Sequence, residues 1–192
     1  MKEKLIPHTG GIIEVSKVLD ANVSKDVFYK FVKVNSYYKI GPGMYVLPDE
    51  IVDELLVLHK RCPSGVISHD EALYHYGFID REPVEHTITV YSGYNASRLR
   101  RSGYKVYYVN KNLLDIGKTD VTDSFGNIIP VYDMERTVVD LVRNRSQFEL
   151  QDFNTAMKEY IRRSDKNLIK LADYAKAFRL DKVLQKYLEV LL

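Results

Sequence analysis

The run Ser24-Lys25-Asp26-Val27-Phe28-Tyr29-Lys30-Phe31-Val32-Lys33-Val34-Asn35, with Tyr37-Tyr38-Lys39-Ile40-Gly41-Pro42-Gly43-Met44-Tyr45-Val46-Leu47 close behind it, decides how this chain folds. Ser24 is a good helix N-cap, because its hydroxyl can accept from a backbone N–H that the first turn leaves unpaired. Beyond it Val27, Phe28, Phe31 and Val32 fall on one helical face, while Lys25, Tyr29 and Lys33 fall at i, i+4 and i+8 on another. Gly41-Pro42-Gly43 then separates two short runs rich in strand formers, the pattern of a hairpin. Toward the N-terminus, Val15, Val18 and Leu19 repeat at helical spacing, and Asn22 can adopt the left-handed conformation that ends a helix. Helix, turn, helix and hairpin in that order predict a winged helix-turn-helix domain over residues 1–50, closed by the polar Pro48-Asp49-Glu50.

The same stretch carries a charge pattern. Lys25, Lys30, Lys33 and Lys39 stand against one acid, Asp26. A recognition helix needs an apolar face to dock on its own domain and an exposed face whose side chains reach phosphates and base edges. Val27, Phe28 and Phe31 meet the first need; Lys25, Tyr29, Lys30 and Lys33 meet the second. With Ser16 and Lys17 on the preceding helix, Ser24 at the cap and Lys39 in the hairpin, they form the predicted contacts to double-stranded DNA. The plainer alternative is a solvated lysine face, with Asp26 and Lys30 paired at i, i+4 to little energetic effect.

Beyond residue 50, Ile51 to Lys60 has the apolar spacing of a connecting helix, which Cys62-Pro63-Ser64-Gly65 stops. Ser68, with Glu71 three residues on, reads as a capping box for a helix that Gly77 ends. Thr87–Tyr91, Lys105–Val109 and Ile128–Tyr132 are β-branched and aromatic, and predict a small mixed or antiparallel sheet. Pro130 places the third of these at an edge or keeps it short. From Asp133 the period returns to 3.6, with helices over 134–143, 150–163, 168–178 and 181–192. The expected fold class is α+β: the N-terminal winged helix-turn-helix, then a larger domain over 51–192 with a small sheet and a C-terminal helical part.

Composition narrows the function. Hydrophobic residues make up 45% of the 192 and charged residues 28%, so a packed core is expected. No window reaches the roughly 18 uninterrupted apolar residues of a membrane span. Met1-Lys2-Glu3-Lys4-Leu5-Ile6-Pro7-His8 lacks the apolar core of a signal peptide, which predicts a cytoplasmic protein. Cys62 is the only cysteine, which excludes an intramolecular disulfide and a cysteine-rich zinc knuckle. The five histidines form no i, i+4 pair and no complete Gly-x-x-x-x-Gly-Lys-Ser/Thr phosphate loop occurs, so neither a metal nor a cofactor is expected. Ser68-His69-Asp70 has the letters of a triad, but consecutive side chains on a helix diverge by about 100° and form no relay. Asp133, Glu135 and Asp140 suit a helix cap and dipole better than a metal. The expected protein is therefore not an enzyme. A second basic cluster, Arg98, Arg100, Arg101, Lys105 and Lys111, lies between Tyr94 and Lys111 with Tyr94, Tyr104, Tyr107 and Tyr108 interleaved, and holds no acid. It suits DNA phosphates or an acidic patch on a protein partner, and otherwise reads as a solvated loop between strands.

Three motifs carry a family likeness. The first is Gly10-Gly11-Ile12-Ile13 with Asn22-Val23-Ser24 and Tyr38-Lys39-Ile40-Gly41-Pro42-Gly43-Met44-Tyr45-Val46-Leu47. The second is Ile67-Ser68-His69-Asp70-Glu71-Ala72-Leu73-Tyr74-His75-Tyr76-Gly77-Phe78, and the third Ile129-Pro130-Val131-Tyr132-Asp133-Met134-Glu135-Arg136-Thr137-Val138-Val139-Asp140-Leu141. In this order and spacing they resemble the AbiEi family of antitoxins, from bacterial abortive-infection and toxin-antitoxin systems used in phage defence. Asn22 and Asn35 stand where relatives often have Gly. The resemblance implies an antitoxin whose winged helix represses its own operon by binding promoter inverted repeats. It also implies a C-terminal domain that counteracts a nucleotidyltransferase-like toxin without a stable toxin complex. Two rivals remain. One is a plain winged-helix transcription factor with a ligand-sensing or oligomerising second domain; the other is a nucleic-acid enzyme using the basic cluster and the carboxylates of 133–140.

Overall fold

A computed structural model describes residues 8–9 and 12–191, with side chains over 12–190. The Met1–Pro7 opening and the Gly10-Gly11 pair lie outside the described residues. The elements are of both kinds, strands in two small sheets and helices concentrated toward the C-terminus, an α+β chain. It divides into two compact units, one of residues 1–63 with 122–129, the other of 64–121 with 130–192.

The first unit opens with β1 (His8–Thr9), β2 (Ile12–Glu14) and α1 (Val15–Asp20). Then come α2 (Lys25–Val34), β3 (Tyr38–Gly41), β4 (Met44–Val46) and α3 (Glu54–Arg61). The strands form an antiparallel sheet in the order β1-β2-β4-β3. Successive strand residues point to opposite faces, and here both faces are covered. Ile13 packs with Val18, Phe28 and Val32 of α1 and α2, whereas Ile12 and Met44 pack with Leu56 and Val57 of α3. Asn22 does adopt the left-handed conformation, with φ 59°. At the end of α2 that role falls to Ser36, φ 58°, while the Asn35 amide donates to the Phe31 carbonyl at 2.9 Å.

The boundary between units therefore lies at Pro63 rather than at residue 50. Burial of Leu56 and Val57 against Ile12 and Met44 ties α3 to the N-terminal sheet, and Lys60 reaches Glu14 at 3.2 Å. Burial alone would raise the Glu14 pKa, but Lys17 and Lys60 override it and hold the carboxylate below its ordinary value. Asp53 caps α3, accepting from the Leu56 N–H at 2.9 Å and from the Asn127 amide at 2.7 Å. Its neighbour Asp123 accepts from the Phe125 and Asn127 N–H groups through Oδ1. Asp123 Oδ2 is buried and meets no donor, and it lies close enough to Asp53 to disfavour its ionisation.

Burial, then the Asp123 carboxylate, pushes Asp53 up to about 6. A carboxyl whose folded pKa is raised contributes stability that is full below about pH 4 and is lost as the pH rises through about 6. Asp123→Asn replaces the Oδ2 carboxylate oxygen by an amide donor while keeping the Oδ1 acceptor. Burial remains and only the Asp123 charge is removed, so urea unfolding should show a gain of about 1 kcal/mol at about pH 7.5 and none near about pH 4. An equal change at both values would mean that Asp123 does not raise the Asp53 pKa.

In the second unit β5 (Val66–Ile67), β6 (Thr87–Tyr91), β7 (Lys105–Val109), β8 (Lys118–Thr122) and β9 (Ile128–Tyr132) lie in the order β7-β6-β5-β9-β8, the β8–β9 turn belonging to the first unit. The sheet is mixed: β6 runs parallel to β7 and antiparallel to β5, which is parallel to β9. β9 is thus not an edge strand. It meets β5 only at Ile67 and Val131, so the missing N–H of Pro130 costs no bond there.

The helices are α4 (Asp70–His75), α5 (Ser97–Arg101), α6 (Met134–Arg143), α7 (Leu150–Arg162), α8 (Leu168–Ala177) and α9 (Asp181–Leu191). Every residue of α6 from Glu135 to Val142 is buried, which makes it the central helix of this unit. Val138, Val139, Leu141 and Val142 share a core with Phe153, Met157, Tyr160, Leu171 and Leu184. Among the described residues no helix is long and apolar enough to cross a membrane.

Candidate nucleic-acid interface

Ser24 caps α2 as its position demands, accepting from the Val27 N–H at 3.4 Å. Phe28 and Val32 are buried and Phe31 packs beside them, but Val27 is exposed and takes no part in docking. The apolar stripe is narrower than the sequence spacing suggested, because α2 meets its neighbours along one line of contact. What the stripe leaves free is cationic: Lys25, Lys30, Lys33 and Lys39 are all exposed. Among the described residues none of them lies within 4.0 Å of an acid, so the Asp26–Lys30 pair does not form. Ser16 is exposed as well. Lys17 is engaged differently, bonded to Glu14 at 3.0 Å.

Tyr29 is 47% exposed, yet its ring leans on Phe28 and stands 6.3 Å from that of Tyr45. Burial, then the Tyr29 hydroxyl beside it, raises the Tyr45 pKa. One edge of Tyr29 thus faces solvent while its hydroxyl touches β4. Tyr38, 45% exposed on the edge strand β3 beside Lys39, is a further surface group that the sequence reasoning passed over. The only sequence signal for it was the Tyr37-Tyr38 run, which periodicity could not divide into an inner and an outer ring.

In the second unit the basic cluster is built partly on a helix, α5, and not on an irregular loop. Buried Leu99 anchors α5, which leaves Arg98, Arg100 and Arg101 exposed around it. The tyrosines organise the remainder. Arg100 lies over Tyr108 at 5.3 Å, Lys111 over Tyr91 at 5.9 Å and Lys105 over Tyr107 at 5.3 Å. Lys105 also pairs with Asp70 at 3.5 Å, which removes it from the free cations. With these rings covered by cations, the patch offers charge more readily than stacking surface.

The capping box at Ser68 does not form. His69 occupies the position before α4 with φ 53° and ψ −120°, and its side chain makes no cap. Ser68 Oγ lies instead 2.8 Å from Thr89 Oγ1, and Glu71 is paired with His86. Because His69 is not helical, the Ser68 and His69 side chains do meet, Nδ1 to Oγ, at 2.9 Å. The Asn144 amide, oriented by its bond to the Asp140 carbonyl, donates to His69 Nε2 at 2.9 Å. Nε2 is thus the acceptor and Nδ1 carries the proton. The ring stacks on Tyr107 at 3.4 Å, and burial, aided by Arg136, keeps it neutral with a pKa well below the ordinary value. Both Ser68 and His69 are buried from solvent, and Asp70 faces Lys105.

The carboxylates of the third motif have structural tasks. Asp133 caps α6 by accepting from the Arg136 N–H at 2.8 Å, and also pairs with Lys170 at 2.9 Å. Glu135 accepts from the Asn167 N–H at the start of α8, and Asp140 pairs with Arg136. Among the described residues no group of three or more His, Cys, Asp or Glu could hold a metal ion.

No family model matches the chain, and no curated protein matches it. Among solved structures the chain is similar to the RV2827C protein from Mycobacterium tuberculosis, with a TM-score of 0.60 and 15% identity, covering 84% of this chain and 63% of that one. The chain thus spans less than two thirds of that protein's length, and the likeness is one of fold.

Proposed function

We propose that this chain is an AbiEi-like antitoxin that represses its own operon. In this proposal the first unit is a winged helix-turn-helix: α2 enters the major groove, and the β3–β4 hairpin is the wing that carries Lys39 to the adjacent backbone. The observation that carries the proposal is the capped helix α2, docked through Phe28 and Val32, with Lys25, Lys30 and Lys33 exposed and without an ion-pair partner among the described residues. Its partner is double-stranded operator DNA with inverted repeats. The second unit counteracts a nucleotidyltransferase-like toxin, without a stable complex, and the protein acts in the cytoplasm with neither metal nor cofactor.

The test has two arms. The chain should shift its own promoter DNA, and when it is expressed from an unrelated promoter beside the neighbouring toxin it should restore growth. A promoter shift without rescue would reduce the protein to a plain winged-helix regulator. Metal-dependent cleavage or nucleotide transfer would make it the enzyme that the structural tasks of Asp133, Glu135 and Asp140 argue against.

The α5 patch is the second place where charge would act. Charge reversal at Arg98, Arg100 and Arg101 should leave the fold intact, since exposed substitutions usually cost less than about 0.5 kcal/mol each. It should weaken repression or toxin rescue. Wild-type values in both assays, with unchanged thermal unfolding, would return these arginines to an ordinary solvated surface.

A further inference from the structure

We propose that the groove between α7 and α9 docks an amphipathic helix of a partner protein, one that carries acidic residues along both edges of its apolar face. This surface is independent of the DNA contacts above. The groove measures about 460 Å³ and is lined by Phe153, Met157, Val183, Tyr187 and Val190, with Lys158 on the α7 wall and Lys186 on the α9 wall. Phe153 and Met157 belong to the buried core, and Phe153 and Tyr187 approach ring to ring at 5.0 Å. Val183 and Val190 are 43% and 85% exposed, so the core continues outward into an apolar strip with none of the described residues upon it.

The spacing gives the strip its shape. Positions 183, 186, 187 and 190 recur at i, i+3, i+4 and i+7, one face of α9, and 153, 154, 157 and 158 share a face of α7. Walls of somewhat under two turns of α7 and about two turns of α9 meet a third helix through anchors at the same spacing.

Charge selects the occupant. Lys158 and Lys186 have no ion-pair partner among the described residues, while Asp152 is paired with Arg81 at 3.6 Å and Glu159 with Arg162 at 2.6 Å, and Glu189, outside the lining, accepts from Gln185 at 2.8 Å. Asp181 stands in the first turn of α9, outside the lining. Arg145 adds a third cation, its guanidinium 4.4 Å from the centre of the Phe153 ring. A second copy of this chain, packed through the same face, would set lysine against lysine, because an isologous interface repeats one patch on both sides. Acids flanking an apolar face would instead meet a lysine on each wall, as charged flanks do beside a coiled-coil seam.

The full-length chain can be titrated, by fluorescence anisotropy, into a dye-labelled synthetic helix of about five turns with leucines on one face and glutamates along both edges. A matched peptide with lysines at the edges is the control. The glutamate peptide should bind about tenfold more tightly, and Lys158→Glu with Lys186→Glu should invert the order. Val183→Asp should abolish binding of the glutamate peptide, with circular dichroism checking that each variant is folded. Three outcomes would overturn the proposal: binding of neither peptide, equal binding of both, or a ranking that the double reversal leaves unchanged. Displacement of the peptide by dodecanoate at lower concentration would assign the groove to a fatty acid, and self-association lost in Val183→Asp would assign it to a second copy. Either also refutes a protein helix as the occupant.

Discussion

Replacing Lys25, Lys30 and Lys33 together by alanine is expected to weaken operator binding on the order of a hundredfold at about 0.15 M salt, the largest loss from any surface change in this chain. These three ammonium groups stand exposed on one capped helix, and among the described residues no acid lies within 4.0 Å of them. Each phosphate they contact releases condensed counterions, worth about 0.9 in the slope of log affinity against log salt, so three contacts account for about 2.7. The measurement is a filter-binding or anisotropy series across salt concentrations with wild type and triple mutant side by side. An unchanged slope would remove α2 from the DNA interface, whatever happened to the affinity. Folding should not confuse the result, since the docking residues Phe28 and Val32 are untouched and the Ser24 cap remains.

The contrast between Lys17 and its neighbours explains why a count of basic residues is a poor guide to such an interface. Lys17 lies in the same region of sequence, but its partner Glu14 is buried, and leaving a buried carboxylate unpaired is costly. Lys60 makes the same commitment from α3. Lysines that hold a buried acid are part of the unit's own architecture, and only those left over are available to phosphate.

Local rules found most of the elements. β6 and β7 span the residues expected, and α6 and α7 agree to within a residue, because each has a run long enough for its period to show and most have a cap or turn residue at the end. Asn22 and the caps Ser24 and Asp133 were legible for the same reason: their chemistry acts within three residues of the chain. What escaped is non-local. β2, β5 and β8 are short or strongly polar, and they are strands only because another strand lies beside them. α5, five residues within an arginine-rich run, is anchored through one leucine. At Ser68 the capping-box letters are all present, yet Thr89 on β6 claims the serine hydroxyl and His86 claims Glu71. A tertiary partner thus outcompeted the local one. The candidate interface followed the same division, with the α2 lysines legible from spacing and the Tyr29–Tyr45 contact invisible before the fold was known.

Arg136→Met is expected to destabilise the second unit by about 3–5 kcal/mol, the largest stability loss available from a single side chain here. Arg136 is fully buried, its Nε 3.0 Å from Asp140 Oδ2, and its Nη1 donates to the Leu113 carbonyl at 2.9 Å and the Ile116 carbonyl at 2.6 Å. The guanidinium lies 3.9 Å from the Tyr132 ring centre and 4.3 Å from that of Phe178. It therefore ties α6 to the segment before β8 through charge, hydrogen bonds and stacking at once. Gly117 completes the cradle: at φ 77° it has a conformation that side chains rarely adopt, and a Cβ there would come 2.4 Å from Arg136 Cβ. Gly117→Ala should accordingly unfold the unit by the same route. Methionine at 136 fills much of the volume but leaves Asp140, which burial already pushes above its ordinary pKa, without its principal counter-ion. Adding Asp140→Leu removes the stranded charge and should recover most of the loss, as replacing both members of a buried pair often does. Urea unfolding of the two single mutants and the double mutant measures this. If Arg136→Met instead left stability unchanged and abolished toxin rescue, Arg136 and Asp140 would be working parts of the proposed antitoxin function and not the frame beneath it.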